Sequence, residues 1–163
     1  MFKRVSLPLS SGTPFAVRQG AFGAPGEVTS SNGYAWSLEV PLGTQVYAAE
    51  GGVVLATASK AKADGGCNAK AADRDHYVRI EHEDRTVAEY RHVRPLVAKG
   101  AHVRRGEPIG ATDRSGVQCY PHLRFEVFAT RAAIGESDGS IPLYFDQIPG
   151  GLLREGFKFT DRF

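Results

Sequence analysis

Between Tyr120 and Phe128 the chain reads YPHLRFEVF, and from His122 to Val127 its polar and apolar residues alternate one by one. Side chains of a strand point to opposite faces in turn. Leu123, Phe125 and Val127 therefore fall on one face, and His122, Arg124 and Glu126 on the other. The stretch DHYVRIEH repeats the pattern, with Val78 and Ile80 set against Arg79 and Glu81. GTQVYAA and GVVLATA read as consecutive strands around a Glu50-Gly51-Gly52 turn. TVAEYRHV follows a Glu83-Asp84-Arg85 turn, and EPIGATD and HLRFEVF come next. No long stretch carries the helical period. Short strands separated by Gly and Asp turns predict an all-β chain, a sandwich or partly open barrel. Residues 59–74 are polar and without period, which predicts a long surface loop. After Arg131 the tail carries IPLYF, a Gly-rich turn and EGFKF. No linker or repeat divides the chain, so residues 1–163 are expected to form one domain.

Composition narrows the classes of function. The chain has 163 residues, 42% hydrophobic and 23% charged, enough for one buried core. A formal charge of +2, with no long basic run, gives no signal for nucleic acid. No apolar run is long enough to span a membrane. The opening MFKRVSLPLSSG has a basic start without a continuous apolar stretch, so it does not read as a signal peptide. That reading leaves a cytoplasmic location or a leader already removed. Cys67 and Cys119 are compatible with one disulfide or with two thiols. Both lie in polar, Gly-bearing stretches, DGGCN and SGVQCYP, which suits a bridge near the rim of any site at YPHL. His76 and His82 flank a strand and are expected to be solvated. His102 is expected at the surface.

Four ordered elements carry a resemblance. They are PLGTQVYAAEGGV at Pro41 to Val53, YRHV at Tyr90 to Val93, VAKGAHVRRGEPIG at Val97 to Gly110, and PHLRFEV at Pro121 to Val127. Their order and spacing resemble the LytM/lysostaphin-type zinc metallo-endopeptidases, over most of the chain. The resemblance implies a two-layer antiparallel β-sandwich or open barrel with a groove, in which a zinc-activated water cleaves cell-wall peptide cross-links. It also implies three zinc ligands, His, Asp and His, and two further histidines for the proton and the oxyanion. The last ligand is the second His of an HLH strand. A strand repeat of two places both histidines on one face, about 7 Å apart.

This sequence departs from the family at the metal. Arg124 stands at the last ligand position, and a guanidinium has no lone pair to give a metal. Ser37 stands at the Asp position, in YAWSLEVPLGT. Glu27, in GAPGE, stands at the first His position on a looser alignment. His92 and His122 match the two non-ligand histidines. The resemblance then implies a vacated metal site with no resident cofactor and with His92 and His122 as vestiges of a catalytic pair. A reduced zinc site of Glu27, His92 and His122 would set a metal beside the Arg124 cation, which electrostatics opposes. Ser37 as a nucleophile lacks an evident acid partner. Arg124 is expected either to pair with Glu27 in the vacated site, near Ser37 and a histidine, or to reach solvent or Glu126.

Three functions stay open from the sequence. The first is an inactive LytM-like domain in wall remodelling that binds peptidoglycan or regulates a wall amidase. The second is an active zinc endopeptidase with altered ligands, and the third is a scaffold unconnected with the wall. The resemblance implies a periplasmic, envelope or extracellular location.

Overall fold

The computed structural model describes residues 2–20, 33–67, 74–136, 138–153 and 156–159. Among the described residues the regular structure is strand, apart from short 3-10 turns such as Arg131–Ala133. From edge to edge, the large sheet runs β13 (Lys158–Phe159), β2 (Phe15–Gln19), β3 (Trp36–Glu39), β11 (His122–Phe128), β7 (Val87–Arg91), β6 (Tyr77–Glu81), β5 (Gly52–Ala58) and β9 (His102–Val103). Every pairing in it is antiparallel. A small antiparallel sheet holds β4 (Gln45–Tyr47), β10 (Pro108–Thr112) and β8 (Val93–Pro95). β1 (Lys3–Val5) and β12 (Leu143–Phe145) form a parallel pair. The sheets do not close into a barrel. The large sheet keeps two free edges, each blunted by a two-residue strand. No helix among the described residues is long and apolar enough to cross a membrane.

The alternation read from the sequence decides which face is buried. Leu123, Phe125 and Val127 of β11 are fully inaccessible, as are Tyr90 of β7 and Val78 and Ile80 of β6. Their neighbours on β3 are Trp36, opposite Phe125, and Leu38, opposite Leu123. Val46, Ile109 and Val93 of the small sheet and Phe145 of β12 join the same core. Trp36 meets Phe145 edge-on at 5.6 Å, and Tyr90 lies 5.0 Å from Phe125. The Tyr90 hydroxyl accepts a 2.8 Å hydrogen bond from the Ala49 amide, so its one polar atom is satisfied. Each such side chain contributes about 1.5–3 kcal/mol by leaving water.

Two local features differ from a simple meander. β4 and β5 are consecutive strands around Glu50-Gly51-Gly52, but they do not pair; they lie in different sheets. The turn passes the chain from one layer to the other. Gly52 is needed there because a Cβ would stand 2.1 Å from the Glu81 carbonyl oxygen. The second feature is His92, whose φ of 61° is unusual for a residue with a side chain. β7 ends at Arg91 in the large sheet and β8 begins at Val93 in the small one. His92 is thus the single-residue corner between the sheets. Its carbonyl accepts the Asp113 amide at 2.8 Å, which fixes the corner.

Candidate functional site

The outer face of the large sheet is polar across its middle four strands. Antiparallel partners share a face, so the register fixes the neighbours. Ser37 of β3, Arg124 of β11, Arg91 of β7 and Tyr77 of β6 form one transverse row. Glu126, Glu89 and Arg79 form the next. Glu39 stands opposite His122 in a third. Glu89 receives Arg79 Nε at 2.5 Å and Arg91 Nε at 2.6 Å, and Arg91 also reaches Asp75 at 2.8 Å. Arg124 Nη2 meets Glu126 Oε2 at 3.4 Å. Glu39 pairs with Arg18, whose guanidinium lies 5.6 Å over the Tyr120 ring.

The two replaced ligand positions, Arg124 and Ser37, are therefore cross-strand partners. Ser37 is buried and Arg124 half-buried. Glu27 lies outside the described residues, so its pairing with Arg124 remains a proposal. Arg124 meets Glu126, its neighbour two residues along the strand. Glu126 is almost fully buried, beside the buried Val127 and Phe128. Burial pushes its carboxyl up to about 7; Arg124 opposes the shift and Glu89 adds to it.

A prediction about pH follows from Glu126. Its pKa is raised from 4.5 to about 7 in the folded state, so the native protein binds the extra proton between those values. Stability from this group is full below pH 4.5 and is lost as pH rises through 7. Glu126→Gln should therefore gain on wild type by on the order of 3 kcal/mol between pH 4.5 and 8. Urea unfolding of both proteins across that range checks it. A constant difference between them would show that Glu126 titrates normally.

His92 and His122 are brought together, with ring centroids 4.5 Å apart. Each points its Nδ1 at a backbone carbonyl, Ser115 O and Tyr120 O respectively, both at 2.9 Å. A carbonyl can only accept, so each Nδ1 carries the proton and each neutral ring presents an Nε2 lone pair. Both rings are buried. Burial pulls His92 down to about 3, with His122 and Arg124 acting in the same direction. His122 is lowered chiefly by burial, against the Tyr120 carbonyl and with Arg124. Asp75 lies 3.5 Å from His92 Nδ1 and packs so tightly on Gly116 that a Cβ there would collide with its carboxylate. At the rim, Cys67 and Cys119 form a disulfide that ties the segment before residue 68 to the residue preceding Tyr120.

Two sequence expectations are corrected. His76 and His82 are not solvated; both are buried. His76 bonds Asp113 through Nδ1 at 2.6 Å and the Ala61 carbonyl through Nε2 at 2.7 Å, holding the 59–67 segment against the rim. His82 bonds Thr86 Oγ1 at 2.8 Å, and burial pulls it down to about 4. The two histidines flank β6, His76 with both ring nitrogens bonded and His82 with Nδ1 bonded. His102 is exposed. The sequence reading also missed Glu89, Arg91 and Asp75 as neighbours of Arg124. Glu89 and Arg91 alternate onto one face of β7, but only the register sets them beside β11.

The described donors do not fit a His, Asp, His zinc site. Two guanidiniums and a hydroxyl occupy the row where two ligands would stand. Among the described residues no three His, Cys, Asp or Glu side chains are grouped to hold a metal ion.

Residues 31–135 match the family model described as Peptidase family M23. The chain belongs to peptidase family M23. Among curated M23 relatives, the peptidoglycan DD-endopeptidase ShyA of Vibrio cholerae serotype O1 is 30% identical over 117 residues, 71% of this chain and 24% of that protein. The chain thus spans about a quarter of that relative's length. Solved structures share the fold. The M23 metalloprotease pseudoalterin, from the deep sea, aligns over 91% of this chain and 79% of its own, at 17% identity and a TM-score of 0.59. The catalytic domain of the prophage-encoded M23 protein EnpA of Enterococcus faecalis aligns over 83% and 94%, at 22% identity and a TM-score of 0.57. A zinc-containing peptidase of Vibrio cholerae aligns over 77% and 36%, at 24% identity and a TM-score of 0.56.

Proposed function

We propose that this chain is an M23 domain that has kept the fold and the polar peptide-facing surface and has lost zinc catalysis. On this reading it acts in wall remodelling, in the cell envelope or outside the cell. It binds peptidoglycan, or a wall hydrolase such as an amidase. The carrying observation is the cross-strand pairing of Arg124 with Ser37, at the positions where the family resemblance places a His and an Asp ligand. Arg91 stands on the other side of Arg124 in the same row. Neither a guanidinium nor a hydroxyl supplies the lone pair or anionic charge of the ligand it replaces. The relationship to a peptidoglycan endopeptidase supports the wall as the setting.

The alternative, an active zinc endopeptidase, draws on the paired Nε2 lone pairs of His92 and His122. Metal analysis of the purified protein decides between them. The expected result is zinc well below one equivalent, no hydrolysis of wall peptides, and a melting temperature unmoved by chelator. Stoichiometric zinc, or a chelator-induced fall of several degrees, would restore the enzyme. Co-sedimentation with purified sacculi then tests the wall assignment, and failure to bind sacculi or a wall hydrolase would leave a scaffold unconnected with the wall.

A further inference from the structure

We propose that His76 is a proton-operated latch on the rim: it ties residues 59–64 to the loop of residues 113–118 and releases them when it loses a proton. The inference stands whatever the groove binds. It rests on what the two ring nitrogens meet. Nδ1 lies 2.6 Å from Asp113 Oδ2, and Nε2 lies 2.7 Å from the Ala61 carbonyl oxygen. A carbonyl only accepts, so Nε2 carries a proton. Asp113 is an acceptor as well, since its other oxygen takes the Ser115 amide at 2.9 Å. The contact at Nδ1 therefore needs a second proton, held between ring and carboxylate. Both bonds exist only while the pair holds one proton more than a neutral imidazole beside a carboxylate. The two side chains are 3% and 11% exposed, so water is a poor substitute for either bond.

As pH rises and that proton leaves, one donor remains for two acceptors. The bond to the charged oxygen is the stronger, so the N–H stays at Nδ1 and a lone pair on Nε2 faces the Ala61 carbonyl. Residues 59–64 then lose their hold. Among the described residues, their other polar contact is the exposed pair of Asp64 with Arg74, at 3.4 Å. From Gly65 onward the segment is tied independently, by Gly65 to Arg114 O, by Gly66 O to the Gln118 amide and by the disulfide. The loosening is therefore confined to residues 59–64. Other charged or titratable groups come from every neighbouring element. They are Asp75 before β6, Arg91 and His92 at the end of β7, Arg94 on β8, Arg114 in the loop, and Lys60, Lys62 and Asp64 on the rim. Arg91 engages Asp75, the His92 ring donates to Ser115 O, and Arg94, Arg114, Lys60 and Lys62 are exposed. Among the described residues, Asp113 is the charged group that bonds the His76 ring.

Lys60 and Lys62 let trypsin read the latch. Cleavage after them is measured across about pH 6 to 9 and divided at each pH by the rate for a free peptide of residues 57–65. Cleavage after the exposed Arg104 monitors any general loosening, and ¹H–¹⁵N NMR follows the titration of the His76 ring. In wild type the normalised rate should rise about tenfold at the pH where His76 titrates, with Arg104 unchanged. Asp113→Asn should hold the latch shut throughout. Its amide can donate to Nδ1 of a neutral ring, whose Nε2–H stays on Ala61. A merely structural bond predicts the opposite, a weaker rim at every pH. His76→Asn keeps a donor toward Asp113 but is too short to reach Ala61, so its rate should be high and flat. If either variant fails to fold, the coincidence of the two wild-type transitions carries the test. A flat wild-type rate, a rise away from the His76 titration, a raised or pH-dependent rate in Asp113→Asn, or an equal rise at Arg104 would each overturn the proposal.

Discussion

Opening the Cys67–Cys119 bridge should lower the free energy of unfolding by about 4 kcal/mol. The two cysteines are 52 residues apart, so the bond closes a long loop in the unfolded chain. Chain entropy for a loop of that length amounts to about 4 kcal/mol at 25 °C. The folded state adds a local reason. Among the described residues, 59–67 pair with no strand and are held by scattered bonds. Gly65 donates to Arg114 O at 2.8 Å, Gln118 donates to Gly66 O at 3.0 Å, and His76 reaches Ala61 O. The bridge clamps these bonds beside Tyr120, Pro121 and His122. Urea unfolding of the oxidised protein, the reduced protein and the Cys67→Ser, Cys119→Ser double variant measures the loss. The reduced and substituted proteins should agree. A loss under about 1 kcal/mol would show that the backbone bonds hold the rim unaided. In denaturant without reductant, the wild type should expose no reactive thiol.

Glu89→Ala should cost about 3 kcal/mol or slightly more. Glu89 is buried on the polar face and is shared by Arg79 and Arg91. Burial works against its charge, yet Arg91 and Arg79 prevail and hold it below the ordinary carboxylate value. Truncation leaves two guanidiniums facing each other without the anion between them, and breaking a buried pair from one side costs about 3–5 kcal/mol. The guanidiniums are 21% and 29% exposed, so water recovers part of the loss and the lower figure applies. Chemical denaturation checks it. Adding Arg79→Leu to Glu89→Ala should cost less than the sum of the single changes, because the second change removes a charge the first has stranded. Full additivity would mean that the two residues act independently.

The sequence was most legible where apolar and polar residues alternate strictly along a strand. The β11 alternation placed His122, Arg124 and Glu126 together because a period of two leaves no other arrangement. The order of conserved-looking elements was enough to name a family resemblance that the M23 match supports. Two things stayed hidden. Alternation fixes a face but not a neighbour, and the Arg91–Arg124 row depends on which strands pair and at which register. Glu50-Gly51-Gly52 likewise looks the same whether its strands pair or part between layers. His76 and His82 were read as solvated because they stand at strand ends. Their burial comes from Asp113 and Thr86, and from segments folded over them.

The Arg124–Glu126 contact also restricts the order in which this surface can change. Arg124 is the described counter-charge of a carboxyl that is otherwise expensive to bury. A lone Arg124→His step would bring back a metal-type side chain and at the same time leave Glu126 without its cation. The step toward a metal would be penalised before any metal could repay it, because Ser37 across the strand would still be no ligand. A walk in which Glu126 is neutralised first meets no such barrier. Position 124 is thus coupled to position 126: a histidine at 124 suits this surface only once the buried acid at 126 has been neutralised.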